Sequence, residues 1–341
     1  MAFLDHRIGR GALLAGIAAF TTAFSAAAAD SFPQVTPDPA KVEMHVAAAK
    51  ALAGADLAET ARVYCLPVTD IVAESIAYAK AGPTPPATKI FDNLYYLGTR
   101  YVGAYALVTS EGIILIDALN TWDEAKSNIE DGLAKFGLKA SDIKIVMISH
   151  GTDDHYGGAK YFQEKYGAKI YMTADSWDDT LSGRGARGGG PAPIKDVVVQ
   201  DGQTIVMGDT TVTLMDTWGL SQIFNVRDKG RTRMVSIWGT FATGPGEMSF
   251  RTEHGLTPYL KATGAAKVDV MIANHPYVNR GIDLNEAINA GQTEPNPYVL
   301  GPEKFARTMA VYSECMMAAR YRPPFAKPFM PPSYVQPAKA E

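Results

Sequence analysis

The stretch Ile143-Lys144-Ile145-Val146-Met147-Ile148-Ser149-His150-Gly151-Thr152-Asp153-Asp154-His155-Tyr156-Gly157-Gly158 decides how this chain is read. It opens as a short apolar run rich in β-branched residues, the composition of a buried strand. From Ser149 it turns polar at once and gathers His150, Asp153, Asp154 and His155 on one loop. Polar side chains delivered at the end of a buried strand are where sites are built. Imidazole and carboxylate together form the donor set of a borderline cation such as Zn²⁺.

Upstream, the pattern predicts strands over 93–98, 104–108 and 112–117, the last a continuous apolar run, and then a helix with charges on one side over 121–136. Downstream it predicts a helix over 158–166, a strand over 168–172 and a helix over 174–181. The glycine-rich segment 183–190 then reads as a loop exposed over one face. It is no phosphate cradle, because it lacks the preceding strand, the following helix and the Gly-Lys-Thr/Ser ending. Further strands are expected near 196–199, 203–207, 210–215, 223–226 and 233–238. A helix near 252–263, a strand at 268–273 and a last helix over 303–320 complete the pattern. Two β-rich halves flanked by helices make an α+β chain, an αββα sandwich of two sheets with helices outside.

With its strand-then-loop context, the segment His150-Gly151-Thr152-Asp153-Asp154-His155-Tyr156-Gly157-Gly158 resembles the metallo-β-lactamase superfamily, whose motif is His-x-His-x-Asp-His before a Gly-Gly helix start. Asp117 after its strand, Asp201-Gly202, and Ala273-Asn274-His275-Pro276 fall in the family's order, and the resemblance covers roughly residues 88–320. The B3-like branch of exported hydrolases is the nearest in pattern.

The resemblance implies two metal positions. The first takes the two histidines of His-x-His and a third from a later Gly-His-Thr loop. Here those places hold His150, Thr152 and, in Trp218-Gly219-Leu220-Ser221, a leucine. Threonine is a poor zinc ligand and leucine is none, so this position is degenerate. The second position is intact as Asp154, His155 and His275. Three ligands and an open place suit one catalytic zinc ion, which would lower the pKa of its water toward about 7 and supply hydroxide. The implied function is a metal-dependent hydrolase that opens an ester, amide or lactam by metal-hydroxide attack. His150 and Asp154 would be the catalytic groups, and Thr152, Tyr156, Trp218, Leu220 and Asn274 would line a substrate pocket, with Trp177 and Tyr277 as further aromatic candidates. The alternative is a non-catalytic small-molecule-binding protein of the same fold, in which Asp154, His155 and His275 are only a hydrogen-bonded cluster. Asp153 is expected to be a solvated carboxylate, because adjacent residues point apart. His254 is expected at the surface, and His45 at a partly exposed helix position.

The rest of the chain limits its partners and compartment. At 341 residues, 47% hydrophobic and 20% charged, it has the composition of a globular protein. A formal charge of −4 with mixed signs leaves no footprint for nucleic acid, so a small-molecule substrate is the expected partner. Arg7 and Arg10, the apolar run 11–24 and the small residues before Asp30 read as a cleaved secretory signal over 1–29, with a retained anchor as the other possibility. No later stretch reaches the roughly 20 apolar residues of a membrane span. The mature protein is therefore expected in the bacterial periplasm. Residues 30–86 read as an Ala-rich helical extension bounded by prolines, 87–322 as the main domain and 323–341 as a Pro-rich tail. Cys65 and Cys315 are the only cysteines. They join as a disulfide or stay as two buried thiols, and sequence leaves both open.

Overall fold

The computed structural model describes residues 33–239, 244–326 and 334–335. The expected signal segment lies outside the described residues. Three helices come first: α1 (Pro39–Ala53), α2 (Ala58–Tyr64) and α3 (Val68–Lys80). Asp38 caps α1 by accepting from the Ala40 and Lys41 amides, ahead of proline at the first helical position.

Strands β1 (Thr88–Phe91), β2 (Leu94–Tyr96), β3 (Tyr105–Thr109), β4 (Gly112–Ile116), β5 (Ile143–Met147), β6 (Lys169–Met172) and β7 (Val197–Val198) form a seven-stranded sheet in sequence order. Pairing is antiparallel through β4 and parallel from β4 to β7. The parallel part needs crossovers. The first carries α4 (Trp122–Glu124) and α5 (Asp131–Ala134), with a π-helical turn over Ala125–Glu130 between them. The second carries α6 (Asp153–Tyr156) and α7 (Ala159–Tyr166), and the third α8 (Ala174–Ser182).

A second sheet follows in the order β12-β11-β10-β9-β8, built from β8 (Thr204–Met207), β9 (Thr210–Asp216), β10 (Leu220–Asp228), β11 (Arg231–Trp238) and β12 (Val270–Ala273). Only the β11–β12 pair is parallel, and α9 (Glu247–Ala265) makes that crossover. The chain then runs through α10 (Pro276–Asn279), α11 (Gly281–Asn289) and α12 (Pro302–Arg320).

The side-chain alternation of β4 shows the layering. Ile114 and Ile116 join Met147, Phe224, Val235 and Ile272 in the core between the sheets. Ile113 and Leu115 point the other way, to Leu133, Phe162 and Trp177 of the outer helices. A third core lies outside the second sheet, where Ile223, Trp238 and Met271 meet Tyr259, Met309 and Tyr312, and Ala49 and Ala53 of α1. This is the expected αββα sandwich. Helices α1 and α2 thus share a core with α9 and α12, and a disulfide joins Cys65 to Cys315 of α12 with Cα atoms 4.5 Å apart. Among the described residues no helix is long and apolar enough to cross a membrane.

Two departures from the expected pattern are local. Helices α10 and α11 were not anticipated, because Pro276-Tyr277-Val278-Asn279-Arg280-Gly281 is too short and mixed to show a helical period. Helix α9 begins at Glu247, five residues before the expected 252, and runs through Pro258.

Candidate metal centre

Strand β5 ends at Met147, and the motif loop carries the chain into α6, where Asp153, Asp154 and His155 are all buried. His275 arrives from the end of β12 in the other sheet. The centre therefore sits where strands of both sheets stop.

Asp117, just past β4, organises one side. It is fully buried with φ 57, a left-handed backbone that Asp tolerates better than most residues. Its carboxylate accepts from the Ser149 amide at 2.7 Å, the Ser149 hydroxyl at 2.7 Å and His155 Nδ1 at 2.9 Å. Asn274 Nδ2 donates to the same hydroxyl at 3.1 Å, which ties β12 to the motif loop. A carboxylate only accepts, so His155 Nδ1 carries a hydrogen, and in the neutral ring Nε2 is the lone pair. His275 follows the same logic: Nδ1 donates to the Tyr101 carbonyl at 2.9 Å, which leaves Nε2 as the lone pair. The Tyr101 ring also packs edge-on against His275.

Both Nε2 atoms face Asp154 Oδ2, at 3.7 Å from His155 and 3.6 Å from His275. These distances are too long for hydrogen bonds. One ligand atom from each residue lies within 4.8 Å of the others. Ligands about 2 Å from a tetrahedral zinc ion stand roughly 3.3 Å apart, so a small inward shift would complete the coordination. Three lone-pair donors converge with no proton shared among them, and the second nitrogen of each imidazole is already held. That donor set fits a divalent cation such as zinc. Asp117→Asn would remove the acceptor that fixes the His155 tautomer. Zinc affinity should fall roughly 10–100-fold with the fold kept, as read by chelator competition with circular dichroism as the control.

Asp154 Oδ1 faces away from this pair. It accepts from the Thr152 hydroxyl at 2.5 Å and lies 4.0 Å from the Arg187 guanidinium. The Thr152 hydroxyl has one hydrogen and gives it to Asp154, so its 3.2 Å contact with His150 must be a bond donated by Nδ1. His150 thereby presents Nε2 as a base. Its ring is the one among the three histidines with partial solvent exposure.

The protonation states follow from the surroundings. Burial opposes the charge on Asp154, yet His155, His275, Arg187 and the Thr152 hydroxyl together hold its carboxyl well below the usual range. Burial also opposes a charged His155, but Asp154 and Asp117 outweigh it and raise that imidazole's pKa. Burial, with His155 beside them, pushes His150 and His275 down to about 4.

The pocket residues expected from sequence scatter. Thr152 and Asn274 belong to the hydrogen-bond network of the site. Tyr156 is packed in the core between the first sheet and its helices, and Leu220 in the core between the sheets, so both are corrected from pocket lining to packing. Leu220 pairs with Asp216 across a three-residue β9–β10 turn, too tight to bring a side chain to the centre. Trp218 sits half-buried on that turn with φ 62. Trp177 is core, and Tyr277 hydrogen-bonds Glu74. His254 is exposed on α9, and His45 pairs with Glu314 at 2.7 Å.

Asp153 is not solvated. It is 1% exposed and accepts from the Arg187 and Gly189 amides at 2.5 and 2.7 Å. The glycine-rich loop is not simply exposed either. A Cβ on Gly185 would stand 1.8 Å from the Gly151 carbonyl, and one on Gly190 would stand 2.0 Å from the Gly157 carbonyl. Glycine at those positions lets the loop dock on the motif and carry Arg187 to Asp154. Sequence reasoning missed Arg187, and its only signal was an arginine set among glycines opposite an acidic motif.

Comparison with known proteins agrees with this architecture. The family model of the Metallo-beta-lactamase superfamily matches residues 97–223. Among solved structures, the subclass B3 metallo-beta-lactamase BJP-1 of Bradyrhizobium japonicum is 24% identical, with 68% of this chain and 94% of that chain covered and a TM-score of 0.55. The FEZ-1 metallo-beta-lactamase of Legionella gormanii is 23% identical over 67% and 93%, with a TM-score of 0.57. A Cronobacter sakazakii enzyme described by its HARLDQ motif is 20% identical over 70% and 89%, with a TM-score of 0.57. The resemblance to the metallo-β-lactamase superfamily and its B3-like branch stands, and the chain has that fold.

Proposed function

We propose that this protein is an exported hydrolase with a single-zinc centre on Asp154, His155 and His275, acting on an ester, amide or lactam. The observation that carries the reading is the convergence of two Nε2 lone pairs and one carboxylate oxygen, with both Nδ1 atoms already committed to acceptors. A merely structural polar cluster would pair these groups with one another, and here they face each other at 3.6 and 3.7 Å.

A zinc ion held there supplies a Lewis acid and brings a water's pKa to about 7. The chain's own residues do the rest. His150 is neutral at neutral pH and offers Nε2 to take the proton from a water as that water attacks the substrate carbonyl, and to return it to the departing oxygen or nitrogen as the acyl bond breaks. Thr152 holds the His150 ring in that tautomer by accepting from Nδ1, while its own hydrogen stays on Asp154. Asp117 keeps His155 oriented through His155 Nδ1. Export is supported by the Cys65–Cys315 disulfide, since such bonds persist in oxidising compartments. Residues 1–29 are proposed as the removed signal and 87–322 as the hydrolase domain.

The test is zinc content by elemental mass spectrometry of protein purified without chelators, followed by hydrolysis of generic aryl esters and lactams with and without chelator. One ion per chain and chelator-sensitive turnover support the reading. Zinc without turnover on any substrate favours a binding protein, and no zinc after loading defeats the metal centre. His150→Ala should lower kcat by about 10²–10⁴ while zinc content stays at the parent level; loss of zinc in that variant would make His150 a ligand and not a base.

A further inference from the structure

Among the described residues, Arg187 is the one cationic side chain brought against the buried carboxylates of the centre, and a whole loop is devoted to putting it there. Its backbone amide is bound by Asp153 Oδ2, and Gly189 two residues later is bound by the same oxygen. Gly185 and Gly190 dock the loop's two ends on Gly151 and Gly157. The side chain is 14% exposed, its Nε is buried without a hydrogen-bond partner, and a terminal nitrogen lies 4.0 Å from Asp154 Oδ1. The other loop arginine, Arg184, turns outward to Asp178 and Asp179.

Charge gives this placement a consequence. Asp117, Asp153 and Asp154 are all buried, and isolated carboxylates in a protein interior demand counter-charge. Counting only these three carboxylates and the guanidinium, the centre carries two formal negative charges, which one divalent ion cancels. A second divalent ion would leave an uncompensated buried excess of positive charge. The two oxygens of Asp154 are divided accordingly: Oδ2 faces His155 and His275, while Oδ1 faces Thr152 and Arg187.

We propose that Arg187 is a resident cation of the centre that holds it to a single divalent ion, by occupying the Oδ1 side of Asp154 with fixed positive charge. This rests on the reading of Asp154, His155 and His275 as metal ligands. Arg187 is a positioning residue, acting on the metal's charge environment through Asp154.

Zinc stoichiometry and affinity, measured by chelator-buffered titration of the parent, Arg187→Gln, Arg187→Met and Arg187→Lys, test it without recourse to activity. Loss of the guanidinium should tighten zinc binding at least about tenfold, because like charges a few ångströms apart in a partly buried pocket repel strongly. Arg187→Lys, which keeps the charge, should stay within about threefold of the parent. Parent affinity in both neutral variants, with circular dichroism showing them folded, overturns the proposal. So does uptake of two zinc ions by the parent, whatever the variants do. If the parent binds no zinc while Arg187→Gln binds one, the hydrolase reading and the single-ion role both fail, the arginine then excluding the metal instead of holding it to one. If neither binds zinc, both fail.

Discussion

Protein carrying His155→Ala, or separately His275→Ala, should lose its zinc on purification and lose chelator-sensitive hydrolysis with it. Each change removes one of the three proposed ligands, whose Nε2 atoms stand 3.7 Å (His155) and 3.6 Å (His275) from Asp154 Oδ2. Loss of a residue that only orients a ligand costs roughly 10–100-fold in metal affinity, so loss of the ligand itself should exceed 100-fold. Elemental mass spectrometry of both variants decides it, and zinc retained at the parent level in both would refute the assignment. The same centre predicts a direction with pH. A proton and a divalent ion compete for His155 Nε2, and the neighbouring carboxylates raise that imidazole's pKa. Zinc affinity should therefore weaken as pH falls through the raised pKa. His150 and His275, lowered to about 4, stay neutral across that range and contribute little to the fall. A zinc titration that stays flat across about pH 8 to 5, the range in which histidine titrates, would contradict this.

The second large effect concerns stability. Replacing both Cys65 and Cys315 by serine removes a cross-link between residues 250 apart in sequence. Constraint of so long a segment in the unfolded chain is worth about 2–5 kcal/mol, the range measured on removing native disulfides. For a chain of this size the melting temperature should drop by roughly 3–7 °C, as read by scanning calorimetry under non-reducing conditions. The bond fastens the end of α2 to α12, whose Met309, Tyr312 and Met316 pack in the same core as Ala49 and Ala53 of α1. The N-terminal helices should therefore loosen first, and hydrogen exchange in α1 and α2 should rise before that in the two sheets. A melting temperature unchanged to within about 1 °C would show that packing alone suffices.

Sequence by itself determined the layered fold and named the residues of the candidate centre. The apolar runs of β4 and β5 and the polar break at Ser149 are local signals of contrast, and they identified strand and loop directly and pointed to the candidate ligands. Asp154 and His155 are neighbours on one loop, and His275 stands at the same kind of strand end, so their types and places could be read before any contact was known. Only the tertiary structure decided what surrounds them. Tyr156 and Leu220 became core because burial of a large apolar side chain is settled by the opposing sheet or helix, which no local pattern names. Asp153, expected in water, became the buried anchor of the glycine-rich loop, and Arg187 came to Asp154 across 33 residues of sequence. The disulfide likewise depended on a distance between α2 and α12 that spacing cannot express. Periodicity is a property of neighbours along the chain, whereas charge compensation and close approach are properties of neighbours in space.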